Sequence, residues 1–133
     1  MRQGRILLAD KHSTMLAGIR RLLEDVVETV LMVTDEKSLN HALENFNPDV
    51  VVADLSLPTA AGTNIARVLK KSHPGVRVII LSIHDEQSVI DDVMATGVEG
   101  FVLKRRAVID LIPAIRGVME GCKYISPDVN EAS

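Results

Sequence analysis

The chain has 133 residues, of which 47% are hydrophobic, and this size and composition predict a single globular domain. Its formal net charge of −3 offers no basic surface for unaided nucleic-acid binding, and its single cysteine excludes an internal disulfide. No apolar run approaches the length of a membrane span, and the first residues lack a signal-peptide pattern, so we expect a soluble cytoplasmic protein.

Five short aliphatic runs in the sequence predict β-strands. None of them alternates with polar residues, which is typical of parallel strands that are buried on both faces. Apolar residues at helical spacing follow each run, and most of these segments close at a proline or glycine, as at Pro48, Pro74, Gly97 and Gly121. Ser13 is the predicted N-cap of the first helix. The five runs are 6–9, 30–33, 50–53, 78–81 and 101–103.

This succession of strands and helices predicts a doubly wound α/β fold, a (βα)5 sandwich with helices on both faces of a parallel sheet. In such a sheet, ligands bind at the carboxyl ends of the strands, where the strand order reverses. Asp10 follows the first strand, Asp54 the third, Ser82 the fourth and Lys104 the fifth. If the first and third strands are neighbours, their two carboxylates come together and call for a divalent cation such as Mg²⁺.

Five stretches of the sequence resemble the receiver domain of response regulators, the phosphorylatable half of bacterial two-component signalling. Within that family, the chain is most similar to transcriptional regulators of the NarL/FixJ/LuxR type. The resemblance implies a flavodoxin-like three-layer sandwich with strand order 2-1-3-4-5 in residues 1–125, followed by a linker or tail, 126–133, toward a C-terminal output domain outside this chain. The stretches are ILLADKHSTMLAGIRRLLE, PDVVVADLSLP, VRVIILSIHDE, GVEGFVLKRRA and AIRGVMEGCKYISPDV.

The resemblance also implies a role for most residues at the strand ends. Asp54 would accept a phosphoryl group from the phosphohistidine of a kinase, and Lys104 would contact the phosphoryl oxygens. Ser82 would donate its hydroxyl to the acyl phosphate. Phe101 would be the aromatic residue that rotates inward together with Ser82, so that these two residues form the switch.

The implied metal site departs from the family pattern at one position. The family has two consecutive acidic residues after the first strand, whereas here Asp10 is followed by Lys11. Asp10, Asp54 and the backbone carbonyl of Ser56 would still hold Mg²⁺. Because Lys11 and Lys104 balance the two carboxylates, the predicted pocket carries no net charge. We therefore predict weak Mg²⁺ binding and slow phosphorylation, with the Lys11 ammonium either paired with Asp54 or turned into solvent.

Two further features of the sequence bear on this interpretation. Pro113 lies inside the apolar stripe of the last predicted helix, so this helix either begins late, with Asp110 as its cap, or kinks. His12 and His84 lie near the predicted site, and we interpret both as loop residues, because two scattered histidines do not establish a transition-metal site.

The sequence leaves two functions open. The first is a non-enzymatic switch, in which a sensor histidine kinase phosphorylates Asp54 and the domain controls a transcriptional output. We expect a homodimer, formed either by the first and fifth helices or by the fourth helix with the fifth strand, and DNA binding only through a C-terminal helix-turn-helix domain that this chain lacks. The alternative is a pseudo-receiver, a protein-interaction module that acts without phosphate because Lys11 disables the metal site. A nucleotide-binding enzyme is disfavoured, since neither G-x-G-x-x-G nor a P-loop follows the first strand.

Overall fold

The computed structural model describes residues 4–127, which form one parallel sheet with helices on both of its faces. Each predicted aliphatic run forms a strand, and no described helix is long and apolar enough to cross a membrane. The strands are β1 (Arg5–Ala9), β2 (Thr29–Val33), β3 (Val50–Asp54), β4 (Arg77–Ser82), β5 (Gly100–Leu103) and β6 (Tyr124–Ile125). The helices are α1 (Ser13–Leu23), α2 (Glu36–Asn45), α3 (Ile65–Ser72), α4 (Gln87–Ala95) and α5 (Ala107–Met119), and a 3-10 turn, Lys104–Arg106, precedes α5.

The order of strands across the sheet is β2-β1-β3-β4-β5-β6. This confirms the predicted flavodoxin-like order and adds β6, which the sequence analysis does not predict, at the edge beside β5. Because β1 lies between β2 and β3, the strand order reverses between β1 and β3. Ala9 is in register with Ala53, so Asp10 and Asp54 come next at the same level of two adjacent strands.

Two apolar layers enclose the sheet, because successive residues of a strand point to opposite faces. Leu7 and Val51 pack in the layer formed with α2, α3 and α4, and the fully buried Phe101 belongs to the same layer. Ile6 and Val52 pack in the opposite layer, which α1 and α5 cover. Burial on both faces explains why β1, β3, β4 and β5 are uninterrupted aliphatic runs in the sequence, whereas the edge strand β2 is partly exposed.

The helix ends follow the local sequence signals, with one exception in α1. α2 ends before Pro48 and α3 ends before Pro74, as predicted. Gly97 and Gly121 follow α4 and α5 with φ angles of 97° and 90°, in the left-handed region that favours glycine. The predicted N-cap of α1 is wrong, because the helix begins at Ser13 and His12 takes the N-cap position without a side-chain capping bond.

α5 runs through its internal proline. Of the two predicted alternatives, the late start is wrong, because α5 begins at Ala107 and places Asp110 in its first turn. Pro113 has no N–H to donate to the carbonyl of Ile109, but Ile109 is exposed, so water can bind that carbonyl. The opposite face of α5 is buried against the sheet, and this packing fixes the position of the helix. The residues of that face are Leu111, Ala114, Ile115 and Val118.

The last described residues are tied to β5 and α5. The backbone N–H of Ser126 donates to the carbonyl of Phe101 at 2.9 Å, and its hydroxyl donates to Asp110 Oδ2 at 2.7 Å. The same hydroxyl accepts the N–H of Leu103 at 3.0 Å. Ser126, the first residue of the predicted linker, is therefore packed against the domain, whereas residues 128–133 of that linker lie outside the described residues.

Candidate functional site

Four polar side chains predicted for the site meet at the carboxyl ends of the strands. Asp10 directly follows β1 and is fully buried, while Asp54 ends β3 with 2% of its surface exposed. Ser82 ends β4 and is 1% exposed. The side chain of Lys104, which follows β5, is 7% exposed. The parallel topology thus brings residues together that are far apart in the sequence.

Lys104 bridges the two carboxylates. Its Nζ lies 2.9 Å from Asp10 Oδ2 and 3.2 Å from Asp54 Oδ2. Asp10 Oδ2 is buried and has no hydrogen-bond partner among the described residues, so its contact with the ammonium is an ion pair without hydrogen-bond geometry. Burial of two charged carboxylates is costly unless a cation compensates them, and Lys104 is that cation in this site.

His12 contacts the other oxygen of Asp10. Both the backbone N–H and the ring Nδ1 of His12 lie 2.9 Å from Asp10 Oδ1, and Nδ1 lies 3.8 Å from Asp54 Oδ2. Burial opposes ionisation of Asp10, but the contacts with Lys104 and His12 outweigh it and lower the pKa of this carboxyl. His12 is thus a loop residue near the site, as the sequence predicts, and its ring also contacts the carboxylate of Asp10.

Ser56 holds the carboxylate of Asp54. Its backbone N–H donates to Asp54 Oδ1 at 3.2 Å, and its hydroxyl donates to Asp54 Oδ2 at 2.7 Å. The predicted role of the Ser56 carbonyl as a metal ligand stays a prediction. Beside Asp54 is a cavity of about 190 Å³, and its lining residues are Asp54, Leu55, Ser56, Ser82, Ile83 and His84.

The hydroxyl of the predicted switch residue Ser82 is hydrogen-bonded to His84 and not to the Asp54 carboxylate in this conformation. The Ser82 hydroxyl accepts the N–H of His84 at 2.9 Å and donates to the His84 carbonyl at 3.1 Å. Phe101 is fully buried in the sheet, in register with Ile80 of β4. The hydroxyl of Ser82 borders the cavity but is held by its own loop.

Lys11 lies outside the site. It is exposed and makes no ion pair in the part of the chain that the structure describes, so solvent, and not Asp54, surrounds its ammonium. The predicted charge balance, which counts Lys11 in the pocket, does not hold in this conformation, because Lys104 is the one lysine within 4.0 Å of the two carboxylates among the described residues.

Comparison with known proteins identifies the family. Residues 6–116 match the response regulator receiver domain family. The chain is 35% identical over 126 residues to the transcriptional regulatory protein DegU of Brevibacillus brevis, an alignment that covers 93% of this chain and 53% of DegU. The chain therefore spans about half the length of this relative.

Two solved structures have the same fold over nearly the whole chain. The isolated receiver domain of RcsB from Salmonella enterica serovar Typhimurium, in the presence of phosphomimetic BeF3⁻, has a TM-score of 0.86 at 27% identity and covers 98% of each chain. A LuxR-family two-component response regulator from Aurantimonas sp. SI85-9A1 has a TM-score of 0.84 at 26% identity, covering 97% of this chain and 94% of that one. The chain belongs to the response regulator receiver domain family and is a receiver domain of the NarL/LuxR type.

Proposed function

We propose that this domain is a phosphoacceptor switch, in which Asp54 receives a phosphoryl group from a sensor histidine kinase and the domain then controls an output. Receiver domains are generally signalling switches rather than enzymes. The observation that carries the proposal is the position of the Asp54 carboxylate, which borders a cavity at the carboxyl edge of the sheet and lies 3.2 Å from the Lys104 ammonium.

Asp54 and Lys104 have complementary roles in this transfer. An oxygen of Asp54 attacks the phosphorus of the kinase phosphohistidine, and the new O–P bond forms as the donor's P–N bond breaks. The leaving imidazole takes up a proton, and the product is an acyl phosphate. Phosphoryl transfer depends chiefly on positioning and on positive charge near the phosphoryl oxygens, which Lys104 supplies. Ser56 orients the nucleophile through its bonds to both carboxylate oxygens.

Ser82 and Phe101 are proposed to transmit the change. The Ser82 hydroxyl borders the same cavity as Asp54, so exchanging its bonds to His84 for a bond to the phosphoryl group requires only a local rearrangement. Phe101 lies on the neighbouring strand, and its carbonyl accepts the N–H of Ser126. A shift of β5 would therefore reach the segment that leads to residues 128–133.

The proposed partners are a second copy of this domain and an output domain. We expect homodimerisation through either of the two faces that the sequence analysis names. The proposed output is a C-terminal helix-turn-helix domain, connected through residues 126–133, and any DNA binding belongs to that domain.

The donors present fit Mg²⁺ poorly, although receiver domains generally bind this ion. Mg²⁺ prefers oxygen ligands and gives up its hydration water reluctantly. Asp10 and Asp54 supply carboxylates, but the third donor within reach is the ring nitrogen of His12, and Lys11 stands exposed where the family has an acid. Weak binding of Mg²⁺ thus remains a prediction, and the roles proposed for Asp54, Lys104 and Ser56 do not depend on the ion.

A phosphate-independent interaction module is the alternative function. It is favoured by the two contacts of Lys104, because an ammonium in contact with both Asp10 and Asp54 compensates part of the charge that a metal ion would otherwise balance. Such a module would bind its partner proteins with the same affinity whether or not a phosphodonor is present.

Treatment with a small phosphodonor, followed by intact-mass measurement, separates the two functions. The switch requires a gain of one phosphoryl group that Asp54→Ala abolishes and that Asp92→Ala, a change at an exposed carboxylate on α4, leaves intact. If neither the phosphodonor nor a purified kinase adds mass to the unaltered domain, the phosphate-independent module is the correct assignment.

A further inference from the structure

We propose that this site binds a divalent transition ion, with Zn²⁺ and Co²⁺ as the best fits, in preference to Mg²⁺. The ring Nδ1 of His12 would be the nitrogen ligand, beside the carboxylates of Asp10 and Asp54. The inference goes beyond the phosphoacceptor function and does not rest on it, because ion binding is measured directly on the unphosphorylated domain.

The distances between the donor atoms suit a common ion. One donor atom from each of Asp10, His12 and Asp54 lies within 4.8 Å of the others. Two ligands of a tetrahedral ion such as Zn²⁺, with bonds of about 2.1 Å, are about 3.4 Å apart. His12 Nδ1 lies 2.9 Å from Asp10 Oδ1 and 3.8 Å from Asp54 Oδ2, so the two distances lie on either side of this spacing.

Lys104 and the ion would use different oxygens of Asp10. The ammonium contacts Oδ2, whereas His12 faces Oδ1. An ion held between Oδ1 and Nδ1 therefore leaves the ion pair of Lys104 with Asp10 in place. At Asp54 the ion would share Oδ2 with Lys104 and with the hydroxyl of Ser56.

The loop after β1 holds the imidazole in position for this role. The backbone N–H of His12 donates to the same Asp10 oxygen that Nδ1 approaches, so the ring and the carboxylate are fixed on one side of a short turn. The His12 side chain is 55% exposed, which gives an ion access from solvent and leaves its remaining positions to water.

The charge and the donor types select the ion. Mg²⁺ gains little from an imidazole, and the two carboxylates that it would use are already in contact with the Lys104 ammonium. Zn²⁺ and Co²⁺ bind imidazole nitrogen well, and their affinity for mixed nitrogen and oxygen sites is higher than that of the harder ions. The substitution of Lys for the second acid therefore changes the preferred ion instead of abolishing metal binding.

Calorimetric titration of the tag-free, chelator-treated domain with Zn²⁺, Co²⁺ and Mg²⁺ tests the proposal. His41 supplies a control, because it is an exposed histidine on α2 that does not line the cavity beside Asp54. We expect one Zn²⁺ per domain, bound at least about tenfold more tightly than Mg²⁺. In His12→Ala the two affinities should become similar, and in His41→Ala the difference should remain.

His12→Asp provides a second readout, because it replaces the nitrogen donor with an oxygen donor. This variant should bind Mg²⁺ more tightly and Zn²⁺ more weakly than the unaltered chain does, and circular dichroism checks that both variants fold. The proposal is overturned if Zn²⁺ binds no more tightly than Mg²⁺, or if His12→Ala binds Zn²⁺ as the unaltered domain does. Phosphorylation of Asp54 without any Zn²⁺ binding would refute this assignment and leave the phosphoacceptor function standing.

Discussion

Replacement of Lys104 by methionine should destabilise the domain strongly at neutral pH. Lys104 is the one ammonium within 4.0 Å of Asp10 and Asp54 among the described residues, and both carboxylates are almost fully buried. Removing one partner of a buried ion pair leaves an uncompensated charge, which costs about 3–5 kcal/mol of the free energy of unfolding. Methionine keeps most of the apolar part of the lysine side chain, so the loss in free energy of unfolding comes from the missing charge and not from a cavity.

The pH dependence of this loss follows from Asp10. Contacts with Lys104 and His12 lower the pKa of its carboxyl in the folded state. A carboxyl with a lowered pKa stabilises the fold at higher pH, and this contribution is lost as the pH falls through the folded-state pKa. Lys104→Met lacks the contact that contributes most to lowering the pKa of Asp10. The loss in its free energy of unfolding should therefore be largest near pH 7 and should shrink toward pH 4 and below.

Urea denaturation of Lys104→Met at pH 7 and pH 4 measures both effects. Lys11→Met is the matched control, because Lys11 is exposed without an ion pair in the described chain, and we expect a change within about 0.5 kcal/mol. A loss below about 1 kcal/mol at pH 7 for Lys104→Met, or an equal loss at both pH values, would refute the bridging role of Lys104.

Three further substitutions test other parts of the account. Lys11→Asp restores the second acid and should raise the Mg²⁺ affinity in calorimetry at least about tenfold. Asp110→Asn removes the charge of a buried carboxylate that accepts a hydrogen bond from Arg106 Nε at 2.8 Å. This change should lower the free energy of unfolding, measured in urea near pH 7, by about 1–3 kcal/mol. Gly100→Ala places a Cβ 2.9 Å from Ile79 Cγ1 and should cost about 1–3 kcal/mol in the same assay.

Each of these changes has a control at an exposed or open position. Lys71→Asp on α3 should leave Mg²⁺ binding unaltered, and Asp92→Asn should leave stability unaltered. Gly75→Ala meets no atom within 4 Å of the added Cβ and should be tolerated. An effect in a control as large as in its test variant, or no effect in the test variant, contradicts the corresponding account.

Most strands could be predicted because a strand that is buried on both faces, as β1, β3, β4 and β5 are, consists of consecutive aliphatic residues. Each of β1 to β5 is an aliphatic run that ends in a polar residue or directly before one. β6 has only Tyr124 and Ile125, which is too short for any periodicity, and it exists because it pairs with Gly100 and Phe101 of β5. The start of α5 stays open at the level of sequence because the proline signal is local, whereas burial against the sheet extends the helix through Pro113.

The candidate site was predictable as far as topology determines it. The parallel strand order places Asp10, Asp54 and Lys104 at the carboxyl edge of the sheet, independently of their side-chain conformations. The orientation of Lys11 and His12 depends on short-range contacts that a sequence pattern does not specify. The bond from the His12 backbone to Asp10 turns the imidazole toward the site. The only sequence signal for His12 was its position two residues after Asp10.

The most direct test of the central claim is to locate the phosphoryl group. After treatment with a phosphodonor, borohydride reduces an aspartyl phosphate to homoserine with release of phosphate, and peptide mass spectrometry reads the position. The phosphoacceptor account predicts homoserine at residue 54 and aspartate retained at residue 10. Homoserine at any other aspartate, with residue 54 unchanged, would contradict it.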